Sequence, residues 1–108
     1  MPFNSADPLI EAEETELAAA ANMNIGAHYV LAKEIPKGLG YLQKAVELDP
    51  EDGQIRFNLA ATLAGMGRYE DAIQEFEAAE ELGIAMAREV IDKIKAGMAD
   101  VTKIPPKE

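Results

Sequence analysis

The sequence predicts an all-α fold built as a short stack of helical hairpins, and three observations carry that expectation. Residues 52–82 read as one hairpin whose spacing has already occurred thirty-four positions upstream. Ile25 lies in register with Leu59, Gly26 with Ala60, Tyr29 with Leu63, Gly38 with Ala72 and Leu42 with Phe76, while Asn24/Asn58, Ala27/Ala61, Ala45/Ala79, Glu47/Glu81 and Leu48/Leu82 are identical pairs. A fixed period without insertion marks a stacked-repeat protein. The second observation is composition: hydrophobic residues make up 48% of the chain, much of that alanine, with only three Tyr and three Phe. Such a chain packs helices closely through small contacts, and no strand is expected. Third, Pro and Gly fall between helix-length stretches, where they end one helix or open the next.

Residues 1–7 form a lead-in that ends on Asp7-Pro8, an Asp to cap free N–H groups followed by a Pro where no donor is needed. Glu11, Glu13, Glu14 and Glu16 follow at the positive end of the helix dipole. One long helix over residues 9–33 is expected, its first turns overhanging the repeat, with a break near Ala19 as the alternative. Glu34-Ile35-Pro36-Lys37 interrupts it, because a residue before Pro avoids helical angles, and Pro36 opens a second helix running to about Leu48. Gly38 and Gly40 inside that helix each cost ~1 kcal/mol relative to Ala. They are tolerable where a neighbouring backbone approaches closely. Residues 49–52 form a turn ending in the cap Asp52, so a third helix covers 53–66 and stops at Gly67. A fourth spans 69–82 and stops at Gly83.

A fifth helix over 85–98 carries Ala87, Val90, Ile91, Ile94 and Met98 on one stripe, with Arg88, Glu89, Asp92, Lys93 and Lys95 around the rest. Lys93 and Gly97 stand where Leu59 and Leu63 stand in the repeat, so this helix reads as a terminal cap. The polar residues 99–108, with a double Pro, are expected to be a flexible tail. Residues 8–98 thus form a single domain, and a chain of 108 residues buries somewhat over ~60% of the surface its unfolded form exposes.

Twenty acidic against ten basic side chains give a formal charge of −10. That charge repels phosphate backbones and anionic headgroups, so neither nucleic acid nor a membrane surface is an expected partner. No run is long and apolar enough for membrane insertion. The absence of cysteine excludes a disulfide framework, a thiolate nucleophile and Cys-ligated zinc, in keeping with a reducing compartment. Residues 1–14 lack a basic n-region and an apolar h-region, and a cytoplasmic location is expected.

The period and its small/large pattern resemble the tetratricopeptide repeat (TPR). Copy one, about residues 19–52, supplies Ile25-Gly26-x2-Tyr29, Gly38-x3-Leu42, Ala45 and Pro50; copy two, about 53–86, supplies Leu59-Ala60-x2-Leu63, Ala72-x3-Phe76 and Ala79. The family's opening Trp is Asn22 in one copy and Arg56 in the other, and Ile84 replaces the closing Pro of the second. The resemblance implies a right-handed superhelix of antiparallel helix pairs, with the first helix of each pair lining a concave groove that holds a peptide or helix of another protein. The residues at the corresponding groove positions are Ala20, Met23, Asn24, Ala27, Val30 and Leu31 from copy one and Gln54, Phe57, Asn58, Ala61 and Ala64 from copy two. Arg88, Ile91, Asp92 and Lys95 would close the far end. Chaperone-type members grip a C-terminal carboxylate with Lys, Asn and Arg in this groove. Here only Asn58 and Arg88 match that set, and Met23 and Ala27 occupy places that would need Lys and Asn, which argues against such a clamp.

Each candidate has a structural alternative. Met23, Val30 and Phe57 among alanines suit an apolar binding floor, yet Met23 and Phe57 equally suit inter-helix packing. Asn24 and Asn58 could read a partner's backbone, or be polar positions in contact with solvent. His28, the only histidine, could bind a metal only through carboxylates and is read as a helix-face residue. The glutamates of the first helix could attract a basic partner or be a solvated helix start. Tyr29, Leu42, Leu48, Leu63, Phe76 and Leu82 are assigned to the core. The expected function is a protein-binding adaptor or scaffold. The alternative is self-association, since two copies are fewer than a stable stack needs and another copy can complete an end. No cofactor or metal is expected, and no nucleophile–base pair supports an enzyme.

Overall fold

The computed structural model describes residues 7–103, with side chains through residue 98. Five helices are present among them: α1 (Pro8–Leu31), α2 (Ile35–Leu48), α3 (Gly53–Gly65), α4 (Tyr69–Glu81) and α5 (Met86–Lys103). Their starts follow from the caps. Asp7 Oδ1 accepts from the Leu9 N–H at 2.9 Å, and Asp52 Oδ1 accepts from the Gln54 and Ile55 N–H groups at 2.9 and 3.2 Å. Each satisfies donors that the first helical turn leaves open. α2 has no side-chain cap and starts on Ile35-Pro36 instead. α1 is continuous through Ala19.

α1, α3 and α4 end by one device. Lys33, Gly67 and Gly83 adopt positive φ angles of 68°, 81° and 101°. In each case the following N–H turns back into the helix: Glu34 to the Tyr29 carbonyl, Arg68 to that of Leu63 and Ile84 to that of Ala79, at 2.9, 2.9 and 3.0 Å. Lys33 is the repeat-mate of Gly67, so the first copy asks a side chain to take a conformation the second gives to glycine.

α1 packs on α2 and α3 on α4, and α2 meets α3 between the two pairs. The core runs through that contact: Leu42, Leu59, Ala60, Leu63, Ala72, Phe76, Ala79, Ala87 and Ile91, with a smaller group of Ala19, Ala45 and Ile55. The repeat-mates Leu42 and Phe76 are equivalently buried, each 1% exposed. Ile25 and Leu59 are not, at 42% and 6%. The difference is position in the stack, because Leu59 faces the hairpin before it and no described hairpin precedes Ile25. For the same reason Tyr29 is half-buried where Leu63 is buried.

Several expectations need correction. Leu82, assigned to the core, is 38% exposed. It is the C-cap of α4; its Cβ and the Ile84 side chain, which packs against the core, together close over Gly53. Leu48 is half-buried beside Ala45 and Ile55. A methyl group added at Gly40 would meet nothing within 4 Å, so close approach does not explain that glycine; Gly38 is the one at the α1–α2 contact. α5 continues past Met98 to Lys103, and of the expected tail only residues 104–108 lie outside the described residues. Residues 1–6 of the lead-in lie outside them too. On α5, Ala87 and Ile91 are buried and Val90 and Ile94 partly so, giving the single stripe expected of a terminal helix.

Candidate functional site: the groove between α1 and α3

The first helices of the two pairs, α1 and α3, lie near one another without close interdigitation, which leaves a depression of about 240 Å³ lined by Ala27, Val30, Leu31, Leu42, Asn58, Ala61 and Thr62. Small side chains create it. Ala27 and Ala61 are repeat-mates, the first half-buried and the second exposed. Val30 and Leu42 form the apolar base, and Leu31 stands at the edge, largely exposed.

The polar wall comes from α3. Thr62 is buried but donates its hydroxyl hydrogen to the Asn58 carbonyl at 2.9 Å, so it brings no orphan group to the depression. Gln54 Nε2 donates to Asn58 Oδ1 at 2.9 Å. That bond orients the Asn58 amide and leaves Nδ2 without an acceptor among the described residues, available to a carbonyl entering the groove.

Of the groove residues read from the sequence, Ala27, Val30, Leu31, Asn58 and Ala61 come together here. Met23 and Phe57 sit beneath, half-buried: Phe57 packs edge-to-face on Phe76, ring centroids 5.1 Å apart, and Met23 touches both core groups. They serve the seam between helices. Asn24 is exposed on α1 outside the depression, and Gln54 is exposed one turn before Asn58. Arg88 is turned away from the groove and grips Glu80, with Nη2–Oε1 and Nε–Oε2 distances of 2.8 and 3.0 Å; Asp92 lies 3.7 Å from its other terminal nitrogen. Hydrogen bonding to Arg88 holds the Glu80 carboxyl below the usual carboxylate range, and the same bond raises the Arg88 guanidinium.

Leu42 and Thr62 line the groove although the sequence reading places neither there. Leu42 belongs to α2, but α1 carries no side chain at Gly26, where the two helices meet, so the buried Leu42 packs directly on the α1 backbone at the floor of the depression. Thr62 follows Asn58 by one helical turn, so the i,i+4 rule that pairs Gln54 with Asn58 could have found it. Arg56, the other cation near α3, donates to the Pro50 carbonyl and to Glu75, both at 3.0 Å.

His28 is exposed in a shallow surface hollow with Ile25, Tyr29, Ala32 and Glu34. Among the described residues no three His, Asp or Glu side chains are grouped to hold a metal ion. No helix among them is long and apolar enough to cross a membrane.

A family model described as "Tetratricopeptide repeat" matches residues 41–74, a span running from within α2, through α3, into α4. It therefore takes in the junction between the two hairpins, the part of the chain where the core is continuous. The protein named Hsp70-Hsp90 organizing protein 1, from Glycine max, is 41% identical over 51 residues, which is 47% of this chain and 9% of that protein. The chain thus spans less than a tenth of the length of this relative.

Proposed function

We propose that this chain, a member of the tetratricopeptide-repeat family, serves protein–protein interaction by holding an apolar segment of a partner protein in the groove between α1 and α3. The depression lined by Ala27, Val30, Leu31, Asn58 and Ala61 carries this reading. An aliphatic side chain of the partner would enter over Val30 and Leu42, and the Asn58 amide would donate to the partner's backbone. Burying one such side chain contributes roughly 1.5–3 kcal/mol, so several anchors along a helix or extended peptide are needed for firm binding.

The relative's name describes a protein that organises Hsp70 and Hsp90. A grip on a terminal carboxylate is not part of our proposal for this chain. α1 carries no Lys or Arg, Arg56 is committed to Glu75, and Arg88 to Glu80. With a formal charge of −10, the chain suits a partner segment that is apolar on one side and neutral or basic on the other.

The test is affinity capture from the source cell with the native chain and with Ala61→Arg, a substitution at an exposed position that fills the depression. Loss of the captured partner with unchanged circular dichroism supports the groove. An unchanged set of captured proteins would place binding elsewhere.

A further inference from the structure

We propose that a second surface of this chain, the hollow where the last turns of α1 meet α2, binds an acidic segment of a partner protein in extended form. It shares no residue with the groove between α1 and α3, and goes beyond that reading.

The hollow, about 420 Å³, is lined by Tyr29, Pro36, Lys37, Gly40, Tyr41 and Lys44. Tyr29 is half-buried and the other five are exposed. Small-molecule sites enclose most of their ligand's surface, and so open a hollow fits a length of chain lying across it instead. The Tyr29 and Tyr41 rings stack with centroids 5.4 Å apart and planes 11° from parallel, which makes one wall flat and apolar. Gly40 leaves the α2 backbone bare between the two lysines. A methyl group there would meet nothing within 4 Å, so no packing inside the chain accounts for a glycine in the middle of a helix, where it is among the least favourable residues.

The second copy of the repeat shows that the fold does not dictate this surface. Thirty-four positions on, Pro36, Lys37, Gly40 and Tyr41 become Glu70, Asp71, Gln74 and Glu75. The same place on the same hairpin thus carries three carboxylates in one copy and none in the other.

Charge identifies the occupant. Lys44 takes part in no ion pair among the described residues, although Glu47 follows it by one turn. Lys37 lies 5.6 Å from the Tyr29 ring and touches Glu34 only at 3.7 Å, with both side chains more than half in solvent, so a second carboxylate can reach it. The glutamates at the start of α1 act weakly here: Glu16 precedes Tyr29 by about 20 Å of helix, against a screening length of about 8 Å at physiological salt. Lys37 and Lys44 are two turns apart on α2, about 10 Å. An extended chain covers that distance in about three residues. The segment that fits therefore carries two carboxylates three residues apart, with apolar side chains between them lying on the tyrosines over Gly40.

The test is titration of the isotopically labelled full chain, followed by amide NMR shifts, with the capped peptide Ala-Glu-Pro-Leu-Glu-Ala. The expected result is saturable shifts at Gly40, Tyr41 and Lys44, binding that weakens with salt, and a dissociation constant raised about fivefold or more by Lys44→Glu. Gly40→Leu, which fills open space and leaves the fold intact, should abolish binding. No shift at these amides overturns the proposal. Equal binding of the neutral analogue Ala-Gln-Pro-Leu-Gln-Ala overturns the acidic preference, and equal binding of Ala-Glu-Gly-Gly-Glu-Ala reduces the site to general attraction of anions and overturns it as well. Shifts there that grow with protein concentration without peptide would make another copy the occupant, against the proposal. Ala61→Arg should leave the titration unchanged, so failure of the groove and failure of this surface are told apart.

Discussion

The Gly38 carbonyl oxygen lies 2.9 Å from where a Cβ on Gly26 would stand, and the Gly26 oxygen lies 2.7 Å from where one on Gly38 would stand. α1 and α2 therefore meet backbone to backbone. Their repeat-mates in the second pair are Ala60 and Ala72, both buried.

Gly26→Ala and Gly38→Ala should each destabilise the fold. Alanine gains up to ~1 kcal/mol of helix propensity, but overpacking against a backbone oxygen costs about 1–3 kcal/mol, and the second effect wins. Gly40→Ala is the control: nothing lies within 4 Å of its added methyl, so it should stabilise by ~1 kcal/mol. Urea unfolding of the three variants checks the opposite signs.

Lys33→Gly should stabilise the chain by ~0.5–1 kcal/mol. A side chain at φ 68° costs roughly 1–2 kcal/mol, offset in part by the greater freedom of glycine when unfolded. Gly67→Ala, at φ 81° in the equivalent turn, should lose a similar amount. Thermal midpoints moving in opposite directions for the two substitutions would bear this out.

Phe76→Ala should cost about 3–5 kcal/mol, removing a ring that is buried and packed edge-to-face against Phe57, and would leave little of the stability such a short stack can have. Leu82→Ala, although at the repeat-mate of a residue expected in the core, should cost only ~1 kcal/mol because its side chain is already partly in solvent. Equal losses for the two in chemical denaturation would contradict the burial pattern.

The Arg88–Glu80 pair predicts an acid-side loss of stability. The Glu80 pKa is depressed in the folded state, so its contribution is fully present above the unfolded carboxylate value and is lost as pH falls through the lower, folded one. The raised Arg88 value acts only at strongly alkaline pH. Glu80→Gln should therefore flatten the decline of the unfolding midpoint on the acid side of the carboxylate range; an unchanged slope would mean that the pair is too solvated to matter.

Helix boundaries were legible because they are local: Asp7-Pro8, Asp52, Gly67 and Gly83 each satisfy or end a helix through their own backbone or side chain. The repeat register located Leu42 and Phe76 correctly, since both face inward within their own hairpin. It could not separate Ile25 from Leu59, because register states a position and burial depends on the neighbour across it. Leu82 misled for a related reason: Ile84, two residues on, took the inner place. In the groove, Ala27 and Ala61 could be read as small positions facing each other. The descent of Met23 and Phe57 into the seam could not, since half-buried and floor-lining residues share one helical spacing. Nor was the Arg88–Glu80 grip visible, because it spans the corner between α4 and α5 and depends on the angle at which α5 docks.

α3 carries six buried residues and touches three other helices, whereas the first turns of α1 and the outer face of α5 stand largely in water. Opening the molecule from either end leaves α3 enclosed until the last hairpin separates. Its amide protons should accordingly be the slowest to trade with deuterium, tracking global unfolding, while those of α5 and of the α1 overhang exchange through smaller excursions. A protease that samples such excursions would trim the chain from both ends inward and spare residues 53–65 longest.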